Sequence, residues 1–170
     1  MISTPKDMNC FFHSILLALS IDYKREFLVQ NYEGMKKLAL KFKKLLAKEL
    51  CSDGGKKYER MNHGHISEIS KALPEYSLQA MTRRLIREEM IGSEYFDFVS
   101  DEIKRDIYIL HWEKGCVYKT MDENIRIKNR RSIVLIYIDE NHYNLLAVSE
   151  RGKLKTDFRP HHPLIESLKS

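Results

Sequence analysis

The stretch CFFHSILLALS from Cys10 to Ser20 carries apolar side chains on nearly every side. A helix with that pattern has no polar face to turn to water, so other elements must surround it. About ten apolar residues are too few to span a bilayer. Lys6 precedes the run and Ala18-Leu19-Ser20 resembles a signal-peptidase site, where cleavage would remove Cys10. Asp7 also precedes it, however, and His13 and Ser14 interrupt it, so the segment reads as a buried central helix. No other stretch is long enough to cross a membrane, and the expectation is a soluble, cytoplasmic protein without membrane contact.

The chain of 170 residues, 43% hydrophobic and 31% charged, can enclose one ordinary core, so residues 1–170 read as one domain. Met35, Leu38, Phe42, Leu45 and Leu46 recur at helical spacing between Glu33 and Leu50, with Lys36, Lys37, Lys41, Lys43, Lys44 and Lys48 on what reads as the solvated face; Asp53-Gly54-Gly55 ends this helix. Shorter helical patterns cover His65–Leu73, Ser77–Met90 and Ser93–Arg105. After Asp106 the pattern turns β-branched and aromatic, which predicts strands at Ile107–Trp112, Val117–Ile127, Ile133–Ile138 and Tyr143–Val148. Asp139-Glu140-Asn141 joins the last two as an antiparallel hairpin, Arg151-Gly152-Lys153 closes it, and the tail from Thr156 becomes briefly helical. A helical first two thirds packed on a C-terminal, mostly antiparallel meander is an α+β fold.

Composition narrows the chemistry. Twenty-nine Lys and Arg against 24 Asp and Glu give a net charge of +5, which permits an acidic partner without requiring one. Three widely spaced cysteines, Cys10, Cys51 and Cys116, make neither a disulfide framework nor a metal knuckle and suit a reducing compartment. His63-Gly64-His65 and His161-His162 lack a third ligand at a recognisable spacing, so no metal and no cofactor are expected. The lysines have no phosphate loop, finger or aromatic platform beside them, and no nucleic-acid partner is expected.

Cys10 stands at the start of the apolar helix, where free N–H groups and the helix dipole favour a thiolate. The N–H groups of Asp7-Met8-Asn9, with that of Cys10, are placed to face the oxyanion of a tetrahedral intermediate. The competing reading is a small buried cysteine with Asp7 as an ordinary helix cap. Roughly 130 residues later, His142 and Asn144 lie two apart in a strand and so on one face, where the amide oxygen can hold one imidazole nitrogen while the other meets a thiol.

Asp7-Met8-Asn9-Cys10-Phe11-Phe12-His13-Ser14 resembles the D-G-N-C-L-F-(R/Y)-S signature of the ovarian tumour (OTU) cysteine proteases, and Asn141-His142-Tyr143-Asn144 resembles their later His-Tyr-(Asp/Asn) motif. Met8 stands where the signature has Gly. The resemblance implies a papain-like thiol hydrolase that cuts the bond after the C-terminal glycine of ubiquitin, alone or in chains, or of a ubiquitin-like modifier. It implies Cys10 as nucleophile, His142 as general base, Asn144 as the residue orienting it and Asp7 as shaping the oxyanion hole. No motif marks the substrate-binding surface. A catalytically weak OTU-fold module that binds ubiquitin or another protein is the alternative. The compact chain is expected to act as a monomer and would suit a virus or an intracellular bacterium working in host cytosol.

Overall fold

The computed structural model describes residues 1–120, 129–139 and 141–169. The apolar run forms α1 (Cys10–Leu19), with eight of its ten residues buried. Ser20 ends α1 and caps α2 (Ile21–Leu28) through a hydrogen bond from the Tyr23 N–H. The long amphipathic segment is α3 (Tyr32–Cys51). Then follow α4 (Lys56–Arg60), α5 (His65–Ile69), α6 (Leu78–Ile86) and α7 (Phe96–Ile103), linked by single turns of 3-10 helix. Two helices escape the sequence pattern. In α2 only Tyr23 is buried, so no apolar stripe marks it, and α4 is too short to show a period.

The strands are β1 (Asp106–His111), β2 (Cys116–Lys119), β3 (Ser132–Ile138), β4 (His142–Leu145), β5 (Val148–Glu150), β6 (Lys153–Lys155) and β7 (Asp157–Phe158), and α8 (Pro163–Lys169) ends the chain. Much of the expected Val117–Ile127 strand, and Glu140 of the expected turn, lie outside the described residues. The sheet order is β2-β1-β3-β4, with β7 also on β3. Most pairings are antiparallel, but β1 and β3 run parallel in register from Asp106↔Ser132 to His111↔Tyr137, so the strands are not a simple meander. The expected Tyr143–Val148 strand is two: β4 ends at Leu145 and β5 begins a separate hairpin with β6. Arg151 and Gly152 turn that hairpin, both at positive φ, the geometry of a two-residue primed turn.

Burial explains the continuous apolar runs of β1 and β3. Ile107, Ile109, Ile133 and Leu135 face the helices with α1 at the centre, while Tyr108 and Val134 face Phe158 and Ile165 on the other side. A sheet covered on both faces loses polar alternation. One sequence reading is overturned inside this core: Lys43, assigned to the solvated face of α3, is completely buried. The buried stripe of α3 is Met35, Ala39, Lys43, Leu46, Ala47 and Leu50, and Lys43 sits in phase with it.

Replacing Leu135, fully buried on the helical face, by Ala is expected to cost about 2–5 kcal/mol in urea unfolding. Lys41→Ala, on the exposed face of α3, should stay within about 0.5 kcal/mol of the parent.

Candidate active site

The apolar N-terminal part of α1 docks against β4, with the Phe11 and Tyr143 ring centroids 5.4 Å apart. The Ser14 hydroxyl donates to the Tyr143 carbonyl at 3.1 Å, and the Thr4 hydroxyl donates to the same oxygen at 2.7 Å. Cys10 lies one turn before Ser14 on the same helix face. Its Sγ accordingly meets the loop leading into β4, and its thiol donates to the Asn141 carbonyl at 3.7 Å. The structure thus brings Cys10 against the residue preceding His142, although the imidazole itself is not the thiol's hydrogen-bond partner.

His142 and Asn144 pair across from Ile138 and Ile136 of β3 and share a face of β4. His142 Nε2 lies 2.7 Å from Asn144 Oδ1, and that oxygen also accepts the Thr4 backbone N–H at 3.2 Å. A backbone N–H can only donate, which identifies the shared atom as the amide oxygen rather than the nitrogen. The His142 nitrogen facing it must then carry a proton, and Nδ1 keeps the basic lone pair. Burial lowers the His142 pKa and Lys6 lowers it further, partly countered by the Asn144 hydrogen bond. Burial and the Lys6 charge both favour the neutral ring.

The thiol departs from expectation. Cys10 does begin α1, but it is completely buried, and burial pushes its pKa up; the Tyr143 N–H works against this and the Asp7 charge reinforces it. Desolvation of the anion therefore outweighs the helix dipole. Burial thus favours the uncharged form of each group, thiol and neutral imidazole.

Asp7 is neither a helix cap nor a partner of His142. Its Oδ1 accepts the Asn9 N–H at 2.8 Å, and its Oδ2 accepts the Tyr32 hydroxyl at 2.7 Å and contacts His13 Nε2 at 3.0 Å. His13, fully buried, reaches the Tyr23 hydroxyl at 2.6 Å through Nδ1. Burial alone would raise the Asp7 carboxyl, but the His13 and Tyr32 hydrogen bonds and the Asn9 N–H hold it down at about 2. Met8 needs no left-handed backbone, so the side chain in place of Gly is carried without strain there.

A cleft of about 760 Å³ opens over these elements, lined by Asp7, Met8, Asn9, Glu88, Asn141 and His142 among others. Lys43 lies behind it, its ammonium donating to Asn9 Oδ1 at 2.7 Å and to the Arg87 carbonyl. Sequence reasoning missed Lys43, although its phase within the α3 stripe was the available signal. Among the described residues no group of three or more His, Cys, Asp or Glu could hold a metal ion. His162 is bound by Glu150 and His161 by Glu166. Cys10, Cys51 and Cys116 are free thiols, and no helix among the described residues is long and apolar enough to cross a membrane.

Two expectations follow. Alkylation of Cys10 by iodoacetamide should accelerate with pH through 9, without the plateau near neutrality that a thiolate–imidazolium pair gives. Asp7, depressed on folding, stabilises the protein above its unfolded pKa of about 4 and loses that contribution as pH falls toward 2. Denaturant midpoints should show an acid-sensitive component of about 2 kcal/mol in the parent that Asp7→Asn lacks.

No family model matches the chain, and comparison with curated proteins finds no match. Solved structures do resemble it. An OTU domain in complex with ubiquitin aligns over 97% of this chain and 77% of its own, with 16% identity and a TM-score of 0.58. The OTUD1 OTU domain aligns over 85% of this chain and 81% of its own at 14% identity and a TM-score of 0.52. The viral OTU domain protease from Taggert virus aligns over 91% and 81% at 20% identity and a TM-score of 0.50. The chain therefore has the OTU fold.

Proposed function

We propose that residues 1–170 form one cysteine protease domain that hydrolyses the isopeptide or peptide bond after the C-terminal glycine of ubiquitin. The observation that carries the reading is the imidazole held through Nε2 by Asn144, next in the chain to the carbonyl that binds the Cys10 thiol. This is the arrangement a thiol hydrolase needs, on a fold whose solved neighbours include one bound to ubiquitin.

Cys10 is the nucleophile and His142 the base. As Sγ attacks the scissile carbonyl, its proton passes to His142 Nδ1 and the carbonyl electron pair moves onto oxygen. Collapse expels the amine, which takes the proton from His142, and leaves a thioester on Cys10. Water, deprotonated by His142, then releases the ubiquitin carboxylate. Asn144 keeps the ring in the productive tautomer without adding a full negative charge. Asp7 acts indirectly, by fixing the loop before the nucleophile. Neither metal nor cofactor takes part. Ubiquitin, polyubiquitin or a ubiquitin-like modifier is the partner of a monomeric enzyme, and a reducing cytoplasm suits its free thiols.

One observation favours the second reading, a weakly catalytic ubiquitin-binding module: Cys10 is fully covered and its thiol is engaged by Asn141 rather than by the base. Ubiquitin bearing a thiol-reactive C-terminus distinguishes the two. The enzyme reading expects a covalent adduct on Cys10 that is lost in Cys10→Ala and insensitive to EDTA. It also expects Asn144→Ala to lower kcat about 10-fold or more with unchanged ubiquitin binding in the Cys10→Ala background. Reversible binding without an adduct would support the module, and an adduct on Cys51 or Cys116 would refute the site.

A further inference from the structure

An oxyanion is ordinarily held by two or more donors, and the loop before Cys10 has few to offer. The Asn9 N–H is committed to Asp7 Oδ1 at 2.8 Å, and the Cys10 N–H is directed at the Asp7 carbonyl at 3.3 Å. The two N–H groups of this loop nearest the nucleophile are thus engaged within the loop itself. A hole made from the loop's backbone alone therefore lacks its two nearest donors.

The Asn9 side chain supplies what is missing. Its oxygen faces the Lys43 ammonium at 2.7 Å, and an ammonium has three donors and no acceptor. Turning the amide over would set N–H₂ against N–H₃⁺ and strip a buried cation of one of its two oxygen partners. The amide is therefore locked with Nδ2 directed away from Lys43. Nδ2 has no hydrogen-bond partner among the described residues, and Asn9 lines the cleft. The cation on the oxygen also polarises the amide and makes its N–H a stronger donor.

Lys43 is otherwise hard to explain. It occupies a core stripe of Met, Ala and Leu, and burial lowers its pKa, so the ammonium is held there at a desolvation cost that packing does not require. It also lies 5.5 Å from the centroid of Phe12, the second residue after the nucleophile. By binding Asn9 and the Arg87 carbonyl it joins the nucleophile loop to the segment carrying Glu88 and Glu89, which line the cleft.

We propose that Asn9 is a catalytic residue whose side-chain N–H binds the oxyanion, and that Lys43 is the positioning residue that fixes this amide. The inference rests on Cys10 acting by acyl transfer, but not on ubiquitin as the acyl donor. p-Nitrophenyl acetate therefore tests it independently. Cys10 Sγ attacks the ester carbonyl, the thiol proton passes to His142, and the carbonyl pair moves onto oxygen. Collapse then breaks the C–O bond, releasing p-nitrophenolate and leaving an acetyl thioester. Iodoacetamide alkylates the same sulfur by displacing iodide and forms no oxyanion, so it reports thiol reactivity alone.

Asn9→Asp keeps an oxygen on Lys43 and removes only the N–H donor. It should fold as stably as the parent, acylate about 10²-fold more slowly and alkylate within about 3-fold of the parent rate. Asn9→Ala should slow acylation similarly, and adding Lys43→Met should slow it no further, the signature of two residues acting as one unit. Acylation of Asn9→Asp at the parental rate, or an equal loss in both reactions, would overturn the proposal, as would a parent protein that the ester does not acylate at Cys10. Normal ester acylation, slowed by Asn9→Asp, with no cleavage of ubiquitin would instead refute the substrate assignment and leave the oxyanion assignment standing.

Discussion

The site depends on one backbone carbonyl. Tyr143 O accepts the hydroxyls of Thr4 and Ser14 and so joins the N-terminal segment, α1 and β4 at a single point. Ser14 sets the rotation of α1, which brings Cys10, one turn earlier, to the mouth of β4. Thr4 is thereby placed so that its backbone N–H reaches the Asn144 amide, and that bond decides which imidazole nitrogen carries the proton. Ile2 extends the arrangement by exchanging backbone hydrogen bonds with Leu145. These contacts are local, but each works only because α1 is gripped by apolar packing around its circumference.

Around that point the structure manages charge by burial. The thiol and the imidazole are both desolvated, which pushes their pKa values apart and favours the uncharged form of each. In the proposed reaction such a pair would begin with a proton transfer and rely on stabilisation of charge as it forms. The permanent charges stand one shell further out. Asp7 is kept ionised by His13 and Tyr32, and Lys43 answers it from behind the loop with its own bond to Asn9. The short loop from Asp7 to Cys10 is thus held by the Asp7 carboxylate at its start and by Lys43 on Asn9 near its end.

Much of this was legible in the sequence, for reasons that can be named. The apolar run announced α1 because a helix without a polar face has one possible location. His142 and Asn144 were legible because strand geometry alone puts i and i+2 on one face. The parallel pairing of β1 with β3 was not, since register across a long connection leaves no local trace. The reading of Asp7 as a helix cap missed its actual partners because His13 and Tyr32 come from two different helices. Lys43 was misread because residue type was weighed above phase: a lysine four residues after Ala39 and three before Leu46 belongs to the buried stripe. The thiol's pKa went the wrong way because a helix dipole can be read from position, whereas desolvation needs the surrounding atoms.

At the centre of the site, burial favours an uncharged Cys10–His142 pair with the ring held through Nε2 by Asn144. Nitrogen-15 NMR of the imidazole tests it directly, because the two ring nitrogens shift by opposite amounts according to which is protonated. The expected result at pH 7 is a neutral His142 with a protonated Nε2 and an unprotonated Nδ1, the tautomer preference weakening in Asn144→Ala. An imidazolium at pH 7 that becomes neutral in Cys10→Ala, or a ring protonated on Nδ1, would contradict it.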